Sequence, residues 1–169
     1  MAATIQIHEM SALATGADKT SGTVRFKDAD NNTVDTSNPL VIPAPTATIY
    51  SYTKKLRPYM EAPPNTQIDN LRWYSDAGDG WGAYVNCNIK NLGVTWGANY
   101  KTAMSGGADF FTKTSGSPLD GDGTDASPFV PADDNSYVGD LIELQMSVTD
   151  QATQGTLASE ACTLAYDEI

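Results

Sequence analysis

The chain has 169 residues, 40% hydrophobic and 18% charged, and its 21 acidic and ten basic side chains leave a formal net charge of -11. Its length suits one domain that buries roughly 70% of its unfolded surface, and the composition excludes a disordered chain. No apolar run approaches the ~18–20 residues of a spanning helix, and so acidic a surface repels phosphate, which excludes membrane and nucleic acid as partners.

The chain opens "MAATIQIHEM", without the basic then apolar segments of a secretory leader, which implies synthesis in the cytoplasm. Alternation predicts a strand over 4–8. "IHEMSALATGA" carries the best helical pattern, about two turns ended by Gly16. His8 is the only histidine, and its neighbour Glu9 faces the other side of a strand, so no histidine–carboxylate couple is set up for a triad.

A strand is predicted over 23–27, followed by "DADNNTVD". Asp28, Asp30, Asn32 and Asp35 present oxygens at spacings that suit calcium. The loop lacks the glycine and glutamate of an EF-hand, and the plainer reading is a hairpin turn, because Asp and Asn tolerate left-handed backbone. "PLVIPAP" at 39–45 sets Leu40, Val41 and Ile42 between prolines. It reads as a strand tucked into the core or as an exposed contact surface.

Further strands are predicted over 47–59, 66–74, 82–90, 110–113, 138–148 and 156–166, from β-branched and aromatic runs bounded by Gly, Pro, Asn and Asp. In "NLRWYSDAGDGWGAYV" two strands flank a loop. Ile68, Asn70 and Arg72 share one face, and Asp69, Leu71 and Trp73 the other, with Leu71 and Trp73 facing the core. Ala83, Val85, Cys87 and Ile89 form a clean buried face. Trp81 and Trp96, each followed by glycine, are loop-placed and form a weak candidate platform for sugar. Cys87 and Cys162 lie in apolar runs and read as buried thiols.

Residues 115–136 form a polar, turn-rich excursion in which Asp120, Asp122 and Asp125 read as a plain acidic loop, with calcium as the second reading. Glu143 alternates with Ile142, Leu144 and Met146 and is expected on the solvent face; no second carboxylate is tied to it, as glycoside cleavage would need. The fold class is all-β: a single β-sandwich of about eight strands, jelly-roll or Greek-key in type, with long polar loops. No enzyme and no cofactor is expected.

"SYVGDLIELQMSV", then "GTLASEACTLAYDEI" at the end of the chain, resembles the end of small virion proteins of tailed bacteriophages. "SYTKKLRPYMEAPPNTQIDNLRWYSDAG" followed by "GWGAYVN" resembles their middle, so about half the chain is covered, while residues 101–136 match no such phrase. The resemblance implies a head decoration (cement) protein on the outer surface of the virion, binding the major capsid protein, or else a tail or neck component. Self-association, as in a trimer, goes with that role. Candidate contacts are Ile5, Ile7, Met10 and Leu13 in an N-terminal segment (about 1–20), and Leu40, Val41 and Ile42. The reading from another class is a carbohydrate-binding sandwich module that uses Trp81 and Trp96.

Overall fold

The computed structural model describes residues 2–10, 16–78, 80–125 and 127–169. Among them eleven strands form two antiparallel sheets. The larger sheet contains β1 (Thr4–Met10), β2 (Gly16–Asp18), β3 (Thr48–Tyr50), β4 (Lys54–Ala62), β6 (Val85–Gly93), β7 (Ala108–Asp109), β9 (Ser136–Tyr137) and β10 (Leu141–Thr149). Its main order is β2-β1-β4-β10-β6-β7, with β3 paired to β10 and β9 to β4. The smaller sheet is β11 (Cys162–Glu168), β5 (Ile68–Ser75) and β8 (Leu119–Asp120), in the order β11-β5-β8.

The apolar core lies between the two sheets. Leu56 of β4, Cys87 and Ile89 of β6, and Ile142 and Leu144 of β10 meet Trp73 of β5 and Phe110. A second cluster joins Ala3, Met60, Ile68, Leu71, Phe129 and Val138. Each such side chain contributes about 1.5–3 kcal/mol by leaving water. The predicted all-β sandwich is the architecture found. Val85, Cys87 and Ile89 are buried as the alternation requires, but Ala83, expected on the same face, precedes β6 and is exposed; Leu71 and Trp73 face the core. Cys87 and Cys162 are free thiols.

Four local expectations are corrected. The helix over "IHEMSALATGA" is absent from the described part of that stretch: Ile7–Met10 continue β1, and Gly16 begins β2. Two turns are too few to persist alone, whereas β1 pairs with β4 from Thr4 to Met10. Residues 23–27 pair with no strand, although Val24 and Phe26 still pack on the core. Phe110–Thr112 form a 3₁₀ turn in place of a strand, capped by Asp109, whose carboxylate accepts from the Phe111 N–H at 3.0 Å. A strand would send the two adjacent phenylalanines to opposite faces, and the turn lets both pack on the same core.

In β5 the alternation is reset by Asn70, whose φ of +58° accompanies a shift of register against β11. Ile68 therefore leaves the face of Asn70 and Arg72 and is buried with Leu71 and Trp73.

Gly16 serves close approach and not helix termination. A Cβ there would lie 2.5 Å from both His8 Cβ and Tyr137 Oη, and its N–H donates to that hydroxyl at 3.0 Å. His8 Nδ1 meets the same hydroxyl at 3.2 Å, and its ring stacks on Tyr59. Gly16→Ala is expected to lower stability by about 1–3 kcal/mol in thermal unfolding, through overpacking. An unchanged melting temperature would refute the contact.

Candidate functional site

The first acidic loop is a cation-binding loop whose cations are the protein's own lysines. Lys27 Nζ lies 3.1 Å from Asp35 Oδ1 and donates to the Thr33 carbonyl at 2.8 Å. Lys54 donates to the Asn31 carbonyl at 2.5 Å and Lys19 to that of Asn32 at 3.2 Å. Lys101 pairs with Asp28, and Asn99 Nδ2 donates to Asp30 Oδ1 at 2.7 Å. The bond from Lys27, with the Ser37 N–H, holds the Asp35 carboxyl below the usual range. Asp28, Asp30 and Asp35 thus go to different partners, and the backbone of Asn32 is the part engaged.

The second acidic loop is organised around a residue that the sequence reading passed over. Asp140 is wholly buried just before β10. Its carboxylate accepts from Thr124 N–H (3.1 Å), Thr124 Oγ1 (2.6 Å), Asp125 N–H (3.0 Å) and Asn91 Nδ2 (2.7 Å). Asp120 accepts from the Asp122 N–H at 3.1 Å, Asp122 from the Leu71 N–H at 3.0 Å, and Asp125 pairs with Arg57 at 3.4 Å. Burial, with the carboxylates of Asp120 and Asp69, raises the Asp122 carboxyl above its ordinary range. Among the described residues no three His, Cys, Asp or Glu side chains are grouped to hold a metal ion. The available sequence signal was "VGDLIEL": a carboxylate right after Gly139, which has a φ of +69°, at the mouth of an apolar strand.

Trp81 and Trp96 have separate tasks. Trp81 is half-buried, donates from Nε1 to the Ala158 carbonyl at 2.8 Å, and sets its ring edge-on to Phe26 and Phe111. It borders an open groove of ≈ 360 Å³ between residues 81–85 and 152–157. Trp96 and Tyr100 each lie 5.7 Å from Lys55 Nζ, a cation–π arrangement.

That lysine belongs to a charged layer on the outer face of the large sheet, which corrects the expectation for Glu143. Glu143 is 1% exposed. Lys55, Glu143 and Lys90 stand opposite one another across β4, β10 and β6. Lys55 Nζ is 3.0 Å from Glu143 Oε1, Lys90 Nζ is 3.2 Å from Oε2, and the Tyr100 hydroxyl donates to Oε2 at 2.7 Å. Alternation placed Glu143 correctly on the face away from the core, but residues 94–107 cover that face. They are tied down by the Met104 N–H to Gln145 Oε1 (2.8 Å), Gln145 Nε2 to the Thr102 carbonyl (2.9 Å) and Lys55 to the Ala98 carbonyl (3.0 Å). Burial alone would raise the Glu143 carboxyl; the Tyr100 hydroxyl and the two ammonium groups outweigh it and hold the carboxyl below its ordinary range. Glu9 makes a second buried pair, 2.9 Å from Lys54 and 3.6 Å from Lys19.

The candidate contact residues divide. Met10 is buried, so it is withdrawn from the surface; it stands opposite Lys55 at the end of β1. Leu13 lies outside the described residues. Ile5 and Ile7 are half-buried beside β11. Leu40 is half-buried against the cluster of Val85, Met146 and Val148, while Val41 and Ile42 are exposed by 65% and 39%. The tucked-strand reading of 39–45 is therefore corrected: proline at 39, 43 and 45 denies the segment a continuous ladder.

Compared with protein-family models, with curated proteins and with solved structures, the chain matches none.

Proposed function

We propose that this is a structural virion protein of a tailed phage, a decoration or cement protein that binds the major capsid protein on the outside of the head. One observation carries the reading beyond the sequence resemblance: buried ionisable groups are used to hold covering loops onto the sandwich. Lys55 and Glu143 fix residues 94–107, Lys27 and Lys54 fix 28–35, and Asp140 fixes 121–125. Charges placed this way make a stiff plate with settled surfaces, which suits a repeated lattice component. The acidic exterior keeps many copies soluble before assembly. Jelly-roll or Greek-key topology would accord with this role.

Co-sedimentation with heads of the parent phage that lack the protein tests the reading. Saturable pelleting with expanded heads, and none with unexpanded precursors, is the expected result. Absence of pelleting with either form would reject decoration and favour a tail or neck location.

A further inference from the structure

Among the described residues there is a sheet edge without a partner strand and an extended segment without a sheet. Among the described residues, β11 is the outer strand of the small sheet and pairs with β5 alone. Across from it, β2 pairs with β1 over His8–Met10, and the Ile7 backbone is engaged by the Lys19 N–H (2.7 Å) and by Thr20 Oγ1 (2.9 Å), so among the described residues the open part of this edge begins at Ile5. Between these two edges runs a groove of ≈ 250 Å³ lined by Ile5, Ile7, Thr20, Leu164, Tyr166 and the Cys162–Thr163 pair. One end is closed by Ala3, whose N–H donates to Glu168 Oε1 at 3.0 Å and whose carbonyl accepts from the Tyr166 hydroxyl at 3.3 Å.

The extended segment is Leu40-Val41-Ile42. Among the described residues, its backbone N–H and C=O groups make no backbone hydrogen bond. Leu40 anchors it to the cluster of Val85, Met146 and Val148, and Val41 points outward. The groove instead adjoins the cluster to which Ile5, Leu164 and Tyr166 belong. Segment and groove thus sit on different parts of the sandwich.

Charge selects the occupant. Two molecules of net charge -11 repel each other except where both present neutral surface. Residues 36–53 contain no charged side chain, and neither does the groove lining. We infer that copies of this chain associate head-to-tail, the 39–43 segment of one adding as a short strand to the β11 edge of the next. Strand addition supplies the missing backbone partners on both sides, Val41 fills the groove while Leu40 and Ile42 alternate to the other face, and the flanking prolines limit the added strand to an edge. The contact joins two different surfaces, so it propagates into a closed ring or a line and not a two-fold dimer.

Sedimentation velocity of the full chain tests this with Val41→Asp, which changes an exposed side chain and spares the fold, and Thr163→Asp in the groove, its fold checked by circular dichroism. The wild type should sediment as an oligomer and each variant alone as a monomer. Their mixture should recover a two-molecule complex, because one supplies an intact segment and the other an intact groove. A wild type that stays monomeric over its soluble range, a V41D protein that still assembles, or a mixture that stays monomeric would each overturn the inference. The inference does not rest on the shell reading: monomeric wild type leaves capsid binding untouched, and failed capsid binding leaves the self-contact untouched.

Discussion

Glu143→Ala is expected to lower the unfolding free energy by about 3–5 kcal/mol, read as a shift of the urea midpoint, because it leaves Lys55 buried and uncompensated. The loss belongs to the broken pair and not to the charge as such. Replacing both partners, Lys55→Met with Glu143→Leu, is therefore expected to restore most of the stability. If the double variant were as unstable as the single one, the ladder would not be a coupled unit. Glu143 also gives the protein an acid limb. Its carboxyl titrates below its unfolded value, so its contribution is complete above the ordinary carboxylate range and is lost as pH falls through the depressed value. Wild-type stability should decline in that window, and Glu143→Ala should flatten the decline. Equal pH slopes for the two proteins would remove this explanation.

Trp73→Ala is expected to cost about 3–5 kcal/mol, since it opens a cavity where the two sheets meet. Trp73→Phe is expected to stay within about 1 kcal/mol of the wild type. The phenylalanine loses some buried area, but it also removes an indole N–H that is buried with no hydrogen-bond partner among the described residues, whose desolvation costs about 1–3 kcal/mol. Equal losses for the two variants would show that the phenylalanine ring recovers none of the packing, and would overturn this account. Trp81→Ala should cost less than Trp73→Ala, because Trp81 is only partly buried and sits at a groove.

What was legible in the sequence follows from which interactions are local. Val85, Cys87 and Ile89 announce a buried face because alternation depends on backbone geometry alone, and the same rule placed Leu71 and Trp73 inside. The reading failed where a distant segment changed the environment. Glu143 was correctly assigned to the face away from the core, yet nothing near it in sequence reveals that residues 94–107 lie across that face. Asp140 was overlooked because its donors come from Asn91 and from residues 124–125, none of them adjacent to it. Ile68 was turned to the wrong side by a single residue, Asn70, whose left-handed backbone no periodicity reports. Of the candidate contacts, Ile5, Ile7, Val41 and Ile42 remain at or near the surface, while Met10 is buried.

The charged ladder also acts as a ruler for the strands that carry it. Lys55, Glu143 and Lys90 alternate with Leu56, Ile142 or Leu144, and Ile89, so a slip of one residue would turn every one of them through the sheet. Ammonium and carboxylate groups would then stand among Trp73 and Phe110, at several kcal/mol per ion, while leucine and isoleucine faced Tyr100 and Asn99. β10 is buried from Leu141 to Val148 on both faces, and a purely apolar strand of that kind could pair with its neighbours in more than one alignment with little penalty. Three charges in a row leave it a single alignment.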